Sequence, residues 1–331
     1  MVLRGSSAVV LSVSLYALAS SVACGPHKDP AAPSLEQAKA EATAHSGSGA
    51  AHPGEGKSQG RHHAGARHEA SSDDASKAET DALKAKALAI YEKECASGNG
   101  QSCFRAARAL RDGQGAVADD KRATPLFKAA CDKRVAGACN DLGWQLEHGK
   151  GDPTDQPGAN AAYKLGCDYG SAVACGNLGA AYELGQAVTV NYAMAKTLYE
   201  KGCAGHDGGS CHGIGLLAES GKIGKYPTPP YKLYEKGCSY GSAEACSSFG
   251  VALDQGEGIP ADAARAATFY ERGCKEGDTH GCALLGSLYE EGRGVTEDRQ
   301  RAAELYKQGC DGEDGWGCEQ LADLTRAKKK P

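Results

Sequence analysis

Fourteen of the fifteen cysteines in this 331-residue chain stand in seven local pairs, each with seven residues between its members. The pairs are Cys95 and Cys103, Cys131 and Cys139, Cys167 and Cys175, and Cys203 and Cys211. Cys238 and Cys246, Cys274 and Cys282, and Cys310 and Cys318 complete the set. Paired cysteines serve three kinds of chemistry: structural disulfides, thiolate ligation of a metal, and dithiol redox catalysis. Metal ligation needs four ligands converging on one ion, with sulfurs at about 2.3 Å, and no pair carries its own histidines at ligand spacing. Redox catalysis is usually built on C-x-x-C, which is absent, and seven identical catalytic pairs would be redundant. A bridge across a turn is the reading adopted, because two antiparallel helix ends approach within disulfide distance. In the chain-entropy treatment each such small loop contributes roughly 2–3 kcal/mol.

The elements that must position these pairs follow from their period. First cysteines succeed one another at 36, 36, 36, 35, 36 and 36 residues, the mark of a repeat array in which each unit buries its core against its neighbours. Each unit divides into two amphipathic helices. The first carries an aromatic four residues before its cysteine: Tyr91, Phe127, Tyr163, Tyr199, Tyr234, Tyr270 and Tyr306. That i, i+4 spacing puts ring and sulfur on one face, so the rings are expected in the core. Gly98, Gly170, Gly241 and Gly277 then suit a left-handed helix end, and Asn99, Ser171, Ser242 and Asp278 suit the cap of the next helix.

The second helix reads C-x-x-L-G, with glycine at 143, 179, 215, 250 and 286. A mid-helix glycine costs about 1 kcal/mol against alanine. Five of them predict close approach of a neighbouring helix. Ala107 and Ala322 take the same position in the first and last units, where a neighbour is expected to be missing. Asp119, Asp155 and Asp298 can start the following first helices. Residues 221–231, with Pro227, Pro229 and Pro230, absorb the 35-residue interval and predict a shortened helix and a specialised loop.

The chain begins with Arg4 and an apolar run, Ala8–Ala19, too short for a transmembrane helix, so residues 1–23 read as a signal peptide. Ser21-Val22-Ala23 before Cys24 resembles a lipobox, with Ser21 where leucine is usual. Cys24 is the one cysteine without a repeat partner, and lipidation there would account for it. The competing reading is ordinary cleavage near Ala23, which leaves Cys24 a free thiol. Residues 24–72 are rich in Ala, Gly, Ser, Pro and His and lack apolar periodicity, as expected of a tether. Gly49–Ser58 ends like a phosphate-binding loop but has the wrong glycine spacing. The solenoid is placed at residues 73–327, followed by a basic tail, 328–331. A net charge of −5 offers no basic stripe for nucleic acid.

The pattern A-x-x-L-Y-x-x-G-C-x7-C-x-x-L-G-x-x-Y-x-x-G-x-G-V resembles the cysteine-rich form of the Sel1-like repeat, with Leu285–Val295 and Ala302–Cys310 near-ideal copies. The resemblance covers all seven units and implies an all-α fold: an α/α solenoid, a right-handed superhelix related to tetratricopeptide arrays, of seven disulfide-bridged hairpins. It implies an adaptor that binds another protein; with the signal peptide and Cys24, the expectation is an exported bacterial lipoprotein of the outer membrane or periplasm, or a secreted protein. The alternative it implies is a β-lactam-binding protein or weak hydrolase acting on β-lactams or peptidoglycan fragments. The residues do not point to an enzyme: S-x-x-K is absent. His148, His206, His212 and His280 are scattered over different units, and His206 and His212 read as turn residues flanking Cys211. No catalytic residue, metal ligand or cofactor is assigned.

Overall fold

The computed structural model describes residues 72–327. The signal segment, Cys24, the stretch up to residue 71 and the basic tail lie outside the described residues. Within them the chain forms fourteen α-helices and no strand. In order these are α1 (Ser72–Ala96), α2 (Gly100–Arg111), α3 (Asp120–Asp132), α4 (Ala136–His148), α5 (Gln156–Asp168), α6 (Ala172–Leu184) and α7 (Tyr192–Ala204). There follow α8 (Gly208–Glu219), α9 (Pro230–Ser239), α10 (Ala243–Gln255), α11 (Ala263–Glu276), α12 (Thr279–Glu291), α13 (Arg299–Asp311) and α14 (Gly315–Ala327).

Each odd helix turns back into the next even one, and a disulfide closes the turn. Cys95 bonds to Cys103 between α1 and α2, Cys131 to Cys139 between α3 and α4, and Cys167 to Cys175 between α5 and α6. Cys203 bonds to Cys211 between α7 and α8, and Cys238 to Cys246 between α9 and α10. Cys274 bonds to Cys282 between α11 and α12, and Cys310 to Cys318 between α13 and α14. The Cα separations are 4.5–4.7 Å, so every pair is a staple at a hairpin turn and none is a thiolate site. The turns are capped as their sequences dictate: Asn99, Ser171, Ser242 and Asp278 each accept backbone N–H bonds from the helix they start. Asp207 and Asp314 do the same, although the sequence reading passed over them. Asp119, Asp155 and Asp298 cap α3, α5 and α13, and Asn191 and Asp262 cap α7 and α11. The proline-rich loop shortens α9 to ten residues, with Pro229 as its uncapped start.

The mid-helix glycines meet the neighbour that their cost implied. An added Cβ on Gly215 of α8 would lie 2.3 Å from a ring carbon of Tyr234 on α9. At Gly143, Gly179, Gly250 and Gly286 the nearest ring carbons belong to Tyr163, Tyr199, Tyr270 and Tyr306, at 2.5–2.9 Å. These tyrosines are therefore core residues, each buried in a joint between an even helix and the odd helix after it. The phenol stays satisfied by reaching a carboxylate at the end of the same even helix. Tyr163 donates to Glu147 (2.6 Å), Tyr199 to Glu183 (2.9 Å), Tyr234 to Glu219 (2.9 Å) and Tyr306 to Glu290 (3.0 Å). Burial, then the adjacent carboxylate, drives the Tyr234 and Tyr306 hydroxyls well above the ordinary phenol range.

One expectation is corrected here. Ala107 does not lack a neighbour: α3 packs on α2 as closely as later odd helices pack on their even partners. The difference is chemical. The aromatic in that joint is Phe127, with no hydroxyl to anchor, and the residue in the position of Glu147 is Arg111, whose guanidinium lies 5.7 Å from the phenyl centroid. Ala322 alone fits the original reasoning, since no helix follows α14 among the described residues.

Candidate functional site

Even helices line the inner side of the array. Successive even helices pack against one another from α4 through α14, whereas among the odd helices only α3 and α5 approach comparably. The odd helices thus fan outward, and the even ones present the concave surface.

Short polar rungs join neighbouring even helices. Arg111 on α2 donates to Asp141 on α4 at 2.8 Å. Asn177 on α6 donates to Asn140 on α4 at 2.9 Å. His212 on α8 shares a 2.9 Å hydrogen bond with Ser248 on α10, and His280 on α12 one of 3.2 Å with Asp314 at the start of α14. Burial holds the Asp141 carboxyl above its usual range despite Arg111 beside it, so that rung fixes alignment more than it adds stability.

The four repeat histidines divide among these structures. His206 is a turn residue, at φ +68°, with its ring 4.6 Å from that of Tyr240 in the next unit. His212 is not. It lies inside α8, buried between units and 5.4 Å from the Tyr234 ring. Burial pushes its imidazole pKa down, against the pull of Glu244 and Asp278. The nearby cysteine supplied no clue, because helical phase decides which side of Cys211 faces the adjacent unit. His148 stacks on Trp144 at 4.5 Å within α4. The Ser248–His212 contact occupies the same place as the Asn177–Asn140 rung and reads as structural. Among the described residues, no group of His, Cys, Asp and Glu is arranged to hold a metal ion.

Between the rungs the inner surface carries one row of side chains, five residues after the second cysteine of each unit. In α4, α6, α8 and α10 these are Trp144, Ala180, Leu216 and Val251. Leu216 is 37% exposed, and Leu184, one turn further along α6, is 49% exposed. The row is charged only at its ends, with Arg108 in α2 and Asp323 in α14. Sequence reasoning missed this row. Its residues differ in type, and only the 36-residue period combined with helical phase selects them.

The 221–231 loop folds back on α6 and α7. The Tyr226 hydroxyl donates to Glu200 at 3.1 Å, and burial with that carboxylate raises it to about 12. Lys222 pairs with Glu183 at 3.6 Å and sits 4.9 Å from the Tyr192 centroid.

The Sel1 repeat family matches residues 100–134, 159–207, 243–278 and 279–314. The chain carries Sel1 repeats. Three of these windows open at the start of an even helix and close after the following odd one, so the Sel1 unit contains the glycine–aromatic joint. The disulfides then tie one Sel1 unit to the next, a phase offset by one helix from the cysteine hairpins. No curated protein matches the sequence. A Sel1 repeat protein from Oxalobacter formigenes is similar at 24% identity and TM-score 0.63, over 72% of this chain and 98% of that one. The protective antigen c5321 of uropathogenic Escherichia coli, with an SLR fold, is similar at 22% identity and TM-score 0.56, over 72% of this chain and 52% of that one. Both likenesses establish the fold. Seven bridges require an oxidising folding environment. No helix among the described residues is long and apolar enough to cross a membrane.

Proposed function

We propose that this chain is an exported cell-envelope scaffold that binds another protein along the inner face of its solenoid, anchored through lipidated Cys24. The observation that carries the reading is the uncharged row Trp144, Ala180, Leu216 and Val251, continuous over four units of a concave surface. Apolar surface that is half-buried, and exposed at Leu216, suits docking in a stapled frame, because a preorganised receptor loses little conformational freedom on binding. Repeat arrays use such extended concave surfaces for macromolecular recognition.

A photo-crosslinking residue at position 216, in native envelopes, should capture one stoichiometric protein. The same residue at position 165, on outer helix α5 and also exposed (41%), is the control. Equal capture from both positions, or none from 216, would refute inner-face binding. Labelled palmitate should enter the wild-type chain and not Cys24→Ser. Lack of incorporation into wild type would remove the anchor and leave a secreted or periplasmic scaffold.

A further inference from the structure

The two ends of the array are halves of one unit. Counted as an even helix and the odd helix after it, the array holds six complete Sel1 units, α2–α3 through α12–α13. Among the described residues α1 has no even helix before it and α14 no odd helix after it. Both nevertheless keep joint residues. Ala87 and Tyr91 of α1 stand where α13 buries Ala302 and Tyr306. Ala322 and Arg326 of α14 stand where α2 brings Ala107 and Arg111 to Phe127. Two positions depart. The residue before the first cysteine of each later unit is buried, as Ala130, Gly166, Gly202, Gly237, Gly273 and Gly309. In the first unit it is Glu94, exposed and accepting a hydrogen bond from Ser102. The residue after the second cysteine is buried as Asn140, Gly176, His212, Ser247 and Ala283, whereas in the last unit it is Glu319, exposed.

Inside the array these two positions meet. A Cβ added to Gly273 of α11 would lie 2.3 Å from Ser247 Oγ of α10, and one added to Gly309 of α13 would lie 3.3 Å from the Ala283 Cβ of α12. Main chain is as close, since the same added atoms stand 3.0 Å from the carbonyl oxygens of Ala243 and Thr279. A second copy whose α1 lay on α14 in the register of these joints would set Glu94 on Glu319. We propose that a second copy of this chain fits the open α14 face through its α1, completing a seventh Sel1 unit, and that Glu94 and Glu319 hold the copies apart. Two like charges brought together and dehydrated reject a contact. A glutamate side chain at position 94 would also run into the main chain of the helix in front of it. In the register of the array the contact continues the superhelix and does not close, so without the block it would extend into filaments. Repeat arrays need polar outer faces at their ends for solubility, and here two carboxylates supply them. The contact uses the end faces alone and leaves the inner row from Trp144 to Val251 free.

Sedimentation velocity on the oxidised mature chain tests this. The Tyr91 hydroxyl is a further departure from the α2–α3 joint, so the reference variant is Tyr91→Phe, which gives α1 the ring that Ala107 accepts. Wild type and this reference should sediment as monomers. Adding Glu94→Ala and Glu319→Ser, the residue types at positions 130 and 247, should release association beyond the dimer at concentrations at least tenfold lower than in the reference. Each of the two changes made singly should give part of that shift. In the released chain Ala322→Lys, on the open α14 face, should restore the monomer, and so should Tyr91→Lys in place of the phenylalanine. Mixing those two blocked variants should give dimers and nothing larger, because each retains one competent end. Wild type that associates as readily as the released chain would overturn the proposal. So would a lack of shift in the pair and in both single variants, association that stops at a dimer, or association that survives Ala322→Lys.

Discussion

The joint between α2 and α3 and the five joints that follow it solve one packing problem in two ways. The later joints combine a glycine, a tyrosine and a carboxylate in every case, Asp254 replacing glutamate beside Tyr270. The first combines Ala107, Phe127 and Arg111. Four of these phenols are hydrogen-bonded to the end of the even helix, and glycine leaves room beneath each ring. A phenyl ring without that tether can sit back from an alanine, while a guanidinium covers its face. Glycine in this array accompanies the tyrosine ring, Gly250 under Tyr270 included, and not position in the repeat.

The largest effect should come from filling a later joint. Gly215→Leu forces a branched side chain into a site where a single Cβ would already stand 2.3 Å from Tyr234. The expected loss is about 3 kcal/mol or more, the upper range for overpacking. A melting temperature within a degree or two of wild type would break the comparison. Removing one staple, by Cys238→Ala together with Cys246→Ala, should cost about 2–3 kcal/mol in unfolding free energy under oxidising conditions. Because that bridge lies between Sel1 units, native-state hydrogen exchange should show loss of cooperativity there, with α8 and α9 remaining coupled to each other.

A subtler change sharpens the contrast. Gly143→Ala should destabilise by about 1–2 kcal/mol although alanine is the better helix former, because its Cβ would meet the Tyr163 ring at 2.5 Å. Adding Tyr163→Phe releases the ring from Glu147 and reproduces the alanine and phenylalanine of the first joint, with Glu147 in place of Arg111. The double variant should recover about 0.5 kcal/mol or more relative to the sum of the singles, a coupling typical of contacting residues. Strict additivity would show that the hydroxyl does not set the ring's position.

The smallest effect concerns pH at the far end of the array. A hydrogen bond to Asp314 raises the His280 pKa above its ordinary value, although burial opposes it. Burial opposes ionisation of Asp314 too, but bonds from His280 and the Gly317 N–H lower its pKa. The His280 contribution is complete below its unfolded pKa, about 6.5, and fades as pH rises through the higher folded value. That of Asp314 is complete above about 3.9 and fades as pH falls through its lower folded value. The pair should therefore stabilise α14 most between about pH 4 and 6.5. The His280 side chain is 53% exposed, so the worth is about 0.5 kcal/mol or less. The difference in unfolding free energy between wild type and His280→Gln should shrink from pH 5.5 to 8.5, and a constant difference would dismiss this role.

Legibility in the sequence tracked the range of the interaction. Cysteine pairing, from Cys95 with Cys103 to Cys310 with Cys318, depends on residues eight positions apart. The caps at Asn99, Ser171, Ser242 and Asp278 and the short α9 are equally local, and all were readable. Non-glycine residues at the left-handed helix ends were not. Arg134, His206 and Glu313 take φ of +62 to +68° there, and each stands where sister units have glycine. The repeat context holds them in a conformation that their side chains alone would not choose. The inner row was illegible for a different reason: Trp144, Ala180, Leu216 and Val251 share a surface only because their helices stack.

The sequence alone determined that this protein is a seven-unit helical array with a bridge at every hairpin turn, because period, cysteine spacing and turn residues are local and repeated. The tertiary structure decided which helix each glycine faces, that Ala107 meets Phe127 in place of a missing neighbour, that His212 is a buried rung, and that even helices form the concave side. Those outcomes rest on contacts between residues fifteen to thirty-seven positions apart, whose geometry follows from how one unit is rotated onto the next.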